Sequence, residues 1–305
     1  MNLPIVYHRD YVAPLPEGHR FPMPKFKLLC ELLLAEGIAQ PEQIHTPEVP
    51  LRELIELVHT PEYVQAYCEG TLDDRAQRRI GLPWSPALVT RTCTAVGGTI
   101  LTAKLALTYG CACNTAGGTH HAFPSYGSGF CIFNDLAIAA RVLQKLGLVQ
   151  KILIVDLDVH QGDGTAWIFR DDPRVFTFSM HCEANFPSTK QKSDLDVPLP
   201  VGLDDDGYLQ TLAQYLPDLL SAVKPDLVLY DAGVDTHVSD RLGKLALTDT
   251  GIYRREMQVL STCIAVGYPV ASVIGGGYAN DIQGLVYRHA LLHQASWEVY
   301  RQYRL

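Results

Sequence analysis

Lys151-Ile-Leu-Ile-Val-Asp156-Leu-Asp158-Val-His160-Gln-Gly-Asp163-Gly164 is the stretch on which the fold turns. From Ile152 to Val155 it is an unbroken apolar run dominated by β-branched side chains, the length of a strand rather than of a helix. An apolar run without alternation is buried on both faces, which is the situation of a parallel sheet covered by helices. The run then ends in Asp156, Asp158 and His160, each two residues from the next. With a side-chain period of two, all three can point to one side while the chain stays extended. Carboxylates that close repel unless a cation or another partner compensates them. Asp158 and His160 offer oxygen and nitrogen ligands suited to zinc or a similar divalent metal. A polar loop capping the following helix, Gly164–Phe169, accounts for Asp163 but not for acids at the end of so apolar a strand.

Outward from this stretch the chain alternates. Buried parallel strands are predicted at Pro4–Tyr7, Cys111–Thr115, Lys151–Leu157, Arg174–Met180, Asp226–Tyr230 and Pro269–Ile274. Helical periods occupy Ala87–Tyr109, Leu136–Leu146, Tyr208–Val223, Thr250–Val266 and Ile282–Tyr300. Asn134 and Asp135 are capping candidates before the second of these, and Gly147 follows it. Strand–helix repeats with both faces covered predict a mainly parallel α/β fold. No linker, repeat or low-complexity stretch divides it, so one domain over residues 1–305 is expected.

The bulk properties narrow the function. Hydrophobic residues make up 47% of the 305, enough for a large core, and no apolar run reaches the ~18 residues of a membrane span. The first residues lack the basic and apolar segments of a signal peptide, so a soluble cytoplasmic protein is expected. The formal charge of −8, with only a small cluster at Arg75, Arg78 and Arg79, argues against nucleic acid as the main partner. The eight cysteines form no Cys-x-x-Cys pair and read as reduced and mostly buried. Cys111 and Cys113 share a strand face, but no second pair completes a metal site.

In open parallel sheets, function gathers at the carboxyl ends of the strands. Asp226-Leu-Val-Leu-Tyr-Asp231-Ala-Gly-Val-Asp235 is another buried strand running into carboxylates. Asp235 can complete a three-ligand site with Asp158 and His160 and leave a position open, as catalytic metals require. Read alone, it is a turn residue. Gly117-Gly118-Thr119-His120-His121 follows a third strand; the histidines are metal ligands, acid–base groups oriented by nearby carboxylates, or polar loop residues. Gly275-Gly276-Gly277-Tyr278 follows a fourth, where the glycines permit close backbone approach to a ligand. The triplet lacks the spacing of a dinucleotide or P-loop fingerprint. Tyr278 either packs or donates to a developing oxyanion.

Together these residues resemble the histone deacetylase family. The motifs are Gly-Gly-Thr-His-His-Ala (117–122), Gly-Ser-Gly-Phe-Cys-Ile-Phe-Asn-Asp (127–135), Asp-Leu-Asp-Val-His-Gln-Gly-Asp-Gly (156–164), Ala-Gly-Val-Asp (232–235) and Gly-Gly-Gly-Tyr (275–278), in matching order. Residues 97–104 and 240–245 look closest to the class IV branch and its bacterial relatives. The resemblance implies the arginase/deacetylase fold, a single domain whose central, mainly parallel sheet has eight strands flanked by helices. It implies one zinc ion on Asp158, His160 and Asp235. It also implies His121 as general acid–base paired with Asp163, His120 paired with Asp156, and Tyr278 as the catalytic tyrosine. Gly129, Phe130 and Phe186 match positions lining an acyl-lysine channel. A structural potassium ion is implied near Asp156, Asp158, His160, Ser179 and Met180.

Two places depart from the family pattern. Gly-Gly-Thr precedes the histidine pair where Pro-Gly is common, and Ile80–Pro86 lacks the acidic residue that many members place on a rim loop. The activity implied is removal of acetyl or other acyl groups from an amine such as acyl-lysine, with acetylpolyamines and small acylated metabolites as alternative substrates. A two-metal ureohydrolase shares the fold but needs an Asp where Gly162 stands. A binding module without catalysis has no use for His121 and Tyr278 together. No nucleic acid or membrane partner is expected, and oligomeric state has no signature here.

Overall fold

All six runs read as buried strands become strands, because their mostly apolar side chains are covered on both faces. A computed structural model describes residues 2–305. In chain order the described strands are β1 (Ile5–Val6), β2 (Ile44–His45), β3 (Cys111–Asn114), β4 (Ile152–Asp156), β5 (Val175–Cys182), β6 (Leu195–Leu199), β7 (Leu227–Asp231) and β8 (Val270–Val273). They form one sheet in the order β2-β1-β3-β8-β7-β4-β5-β6, with every adjacent pair parallel. This is the expected single α/β domain with its eight-stranded sheet.

The two strands that the apolar runs did not mark, β2 and β6, are the two edges. β2 has only two residues, both half-buried. β6 carries Pro198, which lacks an N–H and is tolerated where no further strand pairs. Edge strands need not be apolar on both faces, so they carry little of the signal that marks the centre.

Ten α-helices accompany the sheet among the described residues: α1 (Lys25–Ala35), α2 (Arg52–Ile55), α3 (Pro61–Glu69), α4 (Asp74–Ile80), α5 (Pro86–Tyr109), α6 (Asp135–Lys145), α7 (Asp163–Phe169), α8 (Asp205–Val223), α9 (Asp249–Ala265) and α10 (Ile282–Tyr303). Most begin on a side-chain cap. Ser85 accepts from Leu88 N–H at the start of α5, and Asp204 accepts from Gly207 N–H at the start of α8, three residues earlier than the apolar period suggested. Asn134 caps α6 by accepting from Ala137 N–H, whereas Asp135 turns toward the loop after β3. All eight cysteines are free thiols, and six are buried. None of the described helices is long and apolar enough to cross a membrane.

α9 contributes a buried ion pair to this frame. Its inward stripe is Ile252, Arg255, Glu256, Val259 and Leu260, in which Arg255 pairs with Glu256 and neither is exposed. Arg255 also donates to the carbonyls of Leu157 (3.2 Å), Gly233 (2.8 Å) and Ala232 (3.3 Å) and to Thr236 Oγ1. Tyr230 hydroxyl bonds Glu256 in turn. One guanidinium therefore ties the chain leaving β4 to the chain leaving β7.

Buried neutral histidines give the fold a defined acid limit. His59 Nδ1 meets Phe123 O at 3.0 Å, and its Nε2 accepts from Asn134 N–H at 2.9 Å, so the ring is held neutral with Nδ1 as donor. His293 Nδ1 meets His289 O at 3.2 Å. Burial pulls both pKa values down to about 4, against the partial opposition of these backbone bonds. Above the unfolded value of ~6.5 neither state carries the charge, so there is no effect. As pH falls from ~6.5 to ~4 the unfolded chain takes up protons that the folded chain refuses, and stability is lost. The expected result is a urea midpoint that drops over this range, with a few kcal/mol lost per histidine as an order of magnitude. An unchanged midpoint at about pH 7 and about pH 5 would contradict it.

Candidate active site

The four motif-bearing strand ends belong to β3, β8, β7 and β4, which are the four contiguous central strands of the sheet. Their carboxyl ends open on the same side because all are parallel. Residues 117–121, 156–163, 231–235 and 275–278 are thus brought to one place.

Asp158, His160 and Asp235 are buried, and one ligand-type atom from each lies within 4.8 Å of the others. His160 Nδ1 is 2.9 Å from Asp158 Oδ1 and 3.2 Å from Asp235 Oδ2. The remaining carboxylate oxygens are held by main-chain donors, Gly276 N–H to Asp158 Oδ2 at 2.8 Å and Val159 N–H to Asp235 Oδ1 at 2.9 Å. Asp235 Oδ2 is buried with no hydrogen-bond partner. Burial opposes a charge on His160, but its hydrogen bond to Asp158 and the nearby Asp235 carboxylate overcome it and carry its pKa up to about 10. Burial, then the charge of Asp158, pushes Asp235 up to about 7. Two buried acids that keep a proton on the ring between them, with one acid oxygen unpartnered, fit a divalent cation bound by one nitrogen and two oxygens.

The glycine triplet approaches these ligands rather than an anion. A methyl group on Gly276 would lie 2.1 Å from Asp235 Oδ2 and 2.5 Å from Asp158 Oδ2. Beneath the triplet, the buried Lys25 on α1 donates to Gly275 O (3.2 Å) and Gly277 O (3.5 Å). Burial lowers the Lys25 pKa to about 8, with Asp235 and Asp158 pulling the other way. Asp240 accepts from Tyr278 N–H at 2.6 Å and from Leu242 N–H at 2.8 Å, which anchors the tyrosine backbone.

The two histidines each face one carboxylate. His120 Nδ1 is 2.8 Å from Asp156 Oδ2, and His121 Nδ1 is 2.7 Å from Asp163 Oδ1. Their environments differ in sign. Burial disfavours charge on His120, but Asp156 and Asp158 outweigh it and raise its pKa well above the usual value. For His121, burial and then the charge of His120 win over Asp163 and bring the pKa down to about 4. Asp231 stands behind His120, Oδ2 to Nδ1 3.7 Å, fully buried with both carboxylate oxygens unpartnered. Burial and then Asp156 raise its pKa far above the carboxylate range. His120, Asp156 and Asp231 also meet the geometry of a ligand cluster. Two of its three members, His120 and Asp156, are already hydrogen-bonded to each other.

The departure at 117–119 is resolved by Asp135. Gly117 and Gly118 take φ of 94° and 88°, and Thr119 N–H donates to Asp135 Oδ1 at 2.7 Å. Gly118 N–H donates to Asp135 Oδ2 at 3.2 Å, so the first residue of α6 holds the loop that aims the histidine pair.

Above the ligand cluster opens a cavity of about 460 Å³, lined among others by His121, Gly129, Phe130, His160, Phe186 and Tyr278. The Phe186 ring stands edge-on to His121 with centroids 4.9 Å apart, and Phe130 lies 5.6 Å from the Tyr278 ring. Phe130 holds φ 68°, an uncommon conformation for a residue with a side chain. Gly129 leaves room, since a methyl there would sit 2.9 Å from His121 Cδ2 and 3.1 Å from Phe186. Burial, with Asp158 and Asp235 next, keeps the Tyr278 phenol protonated, so it is available as a donor. Ser179 is the register partner of Asp156, and Met180 follows it on β5.

Every residue named from sequence for metal, acid–base or channel roles therefore lies in or around one site. Lys25, Asp231, Asp240 and Arg255 had no assigned role. Three of them had a readable signal, Asp231 as a carboxylate ending a buried strand. Lys25, Leu29 and Leu33 repeat every four residues along one buried stripe of α1, as do Ile252 and Glu256 beside Arg255 in α9. A charge on such a stripe marks a buried polar contact. Asp240 lies in a loop, where no period exists.

The chain is similar to proteins already known. The family described as Histone deacetylase domain matches residues 19–293. An uncharacterized protein of Picosynechococcus sp. is 73% identical over 300 residues, covering 98% of this chain and 100% of that protein. The acetoin utilization protein AcuC of Staphylococcus aureus (strain MSSA476) is 33% identical over 287 residues, covering 86% of this chain and 73% of that protein. The crystal structure of an HDAC homolog complexed with SAHA superposes with a TM-score of 0.84 at 26% identity, covering 98% of this chain and 84% of that one. An HDAC homolog from Aquifex aeolicus superposes with a TM-score of 0.82 at 25% identity, covering 97% and 84%.

Proposed function

The chain belongs to the histone deacetylase family, and from that premise we propose that it is a zinc-dependent hydrolase removing acyl groups from amines such as acyl-lysine. The observation that carries the reading is the cluster of Asp158, His160 and Asp235 at the base of a cavity that His121 and Tyr278 also line. A structural potassium ion beside Asp156, Asp158, His160, Ser179 and Met180 belongs to the same reading.

When bound to Asp158, His160 and Asp235, zinc supplies a Lewis acid that lowers the pKa of water and polarises an acyl carbonyl. His121 turns Nδ1 to Asp163, which leaves Nε2 for the substrate side. Neutral because burial disfavours its charge, it accepts the proton of the attacking water at Nε2. Asp163 keeps the ring oriented and stabilises the imidazolium so formed. Tyr278 donates its hydroxyl proton in a hydrogen bond to the developing oxyanion. His121 then passes its proton to the departing amine. Phe130 and Phe186 flank the aliphatic stem and keep water from it. His120 holds positive charge beneath the site, where two carboxylates favour it.

A two-metal centre is disfavoured at Gly162, where an added methyl would lie 2.2 Å from Asp156 Oδ2. The test is hydrolysis of acyl-lysine peptides of several acyl lengths by zinc-loaded and metal-stripped chain, with elemental analysis alongside. Expected are about one zinc per chain and turnover that returns only on reloading. Two manganese ions per chain would overturn the metal assignment. A zinc-replete protein that cleaves no acyl-amine would overturn the hydrolase reading.

A further inference from the structure

The mouth of the cavity carries a charge pattern that amide hydrolysis does not need. Arg20, Arg79 and Lys244 line it, and no aspartate or glutamate does. The chain as a whole has 33 acidic against 25 basic residues, so the mouth reverses the bulk balance. All three side chains are exposed, and none is paired with a carboxylate among the described residues.

The three cations are held in place rather than scattered. The Arg20 guanidinium stacks 4.9 Å from the Phe130 ring, and that of Arg79 stacks 4.5 Å from Tyr126. The Arg79 carbonyl also accepts from Gly129 N–H at 3.2 Å, which binds it to the Phe130 wall. Lys244 Nζ donates to Ala184 O at 2.7 Å, beside the opposite wall at Asn185 and Phe186. Stacking fixes the plane of a guanidinium and leaves its N–H edge free to meet a carboxylate. Cations thus stand on both sides of the opening.

We propose that the substrate is an acyl-lysine in an acidic peptide segment, its flanking carboxylates met by Arg20, Arg79 and Lys244 on the two walls of the mouth. This rests on the hydrolase reading above and names its substrate class. Carboxylates on both sides of the lysine match cations on both walls, whereas a free acylated amino acid brings only one. A polyamine or a basic tail would bring like charge to the mouth and be repelled.

The test uses the zinc-loaded full chain and three peptides of equal length. Their acetyl-lysine is flanked by Asp and Glu, by Ser and Gly, or by Lys and Arg. Hydrolysis is read as kcat and KM. Binding is read separately by fluorescence anisotropy, with a methyl-ketone isostere in place of acetyl-lysine so that nothing is cleaved. At low salt the acidic peptide is expected to bind about tenfold tighter than the neutral one, and the basic one weaker again. The gap should sit in KM and shrink as salt is raised. Charge reversal in an Arg79→Glu, Lys244→Glu chain, its fold checked by circular dichroism, should narrow or invert the ranking. Equal or tighter binding of neutral or basic peptide, or a ranking indifferent to the reversal, would overturn the proposal. So would a free acylated amino acid that outcompetes the acidic peptide. If the isosteres keep the acidic ranking while no amide is cleaved, the hydrolase reading fails and the preference of the mouth stands.

Discussion

Replacing His121 by alanine is expected to lower kcat on an acyl-lysine peptide by about 10²–10⁴-fold, with zinc content unchanged. The size follows from the two proton transfers proposed for it, from water to Nε2 and from Nε2 to the leaving amine. Its position favours both, since Asp163 orients the ring from 2.7 Å and burial keeps it neutral until a proton is offered. KM should move little, because the ring contributes more to the transition state than to ground-state binding. His121 is not among the residues that surround the ligand cluster as donors to Asp158 or Asp235, so metal occupancy should survive. Turnover within about threefold of wild type would remove His121 from the chemistry.

Gly276→Ala is expected to cost the metal itself. The added methyl would sit 2.1 Å from Asp235 Oδ2 and 2.5 Å from Asp158 Oδ2, closer than any side chain tolerates. Either the two carboxylates turn away from each other or the 275–277 backbone retreats. Retreat breaks the 2.8 Å bond from Gly276 N–H to Asp158 Oδ2 and carries Tyr278 with it. Both outcomes spoil the three-ligand geometry, so elemental analysis should find little zinc and hydrolysis should fall by ~10³-fold or more. A loss of ~1–3 kcal/mol in stability from overpacking is expected as well, read from the urea midpoint. A Gly276→Ala chain that keeps its zinc and its turnover would show that the triplet is not set by its approach to the ligands.

The parts of this molecule that sequence makes legible share one property, which is that their physical demand is local. A strand buried on both faces must be apolar throughout, and that is visible in Ile152–Val155 without any knowledge of its neighbours. Acids at the end of such a strand demand compensation, so Asp158 and Asp235 can be noticed before they are seen together. The edges β2 and β6 are half in water and need no such purity, which is why they left no clear mark. The first four helices went unread because three of them are under ten residues long, and in α1 the leucines off the buried face, Leu28, Leu32 and Leu34, blur the period. Lys25 is legible only as a charge out of place, since the carbonyls it serves, Gly275 O and Gly277 O, lie 250 residues and more along the chain. The His120–Asp156 and His121–Asp163 pairings came from the resemblance. The chain alone offered two histidines and several acids, and only the folded loop, drawn in by Asp135, decides which meets which.

The place of β8 in the sheet has a consequence for how the protein comes into being. It is the last strand in chain order, yet it lies between β3 and β7 and separates them. Until residues 270–273 arrive, β1 to β3 have no sheet partner on one side and β7 has an open inner edge. The two halves cannot zip together, and contacts this distant in sequence form slowly. The site spans the same seam, with His120 and His121 on one side of β8 and Asp158, His160 and Asp235 on the other. Before β8 is made, the sheet order leaves β3 and β7 without the neighbour they share, and the site lacks Gly275 to Tyr278. Closure of the sheet and completion of the site both wait on one short strand near the end of the chain.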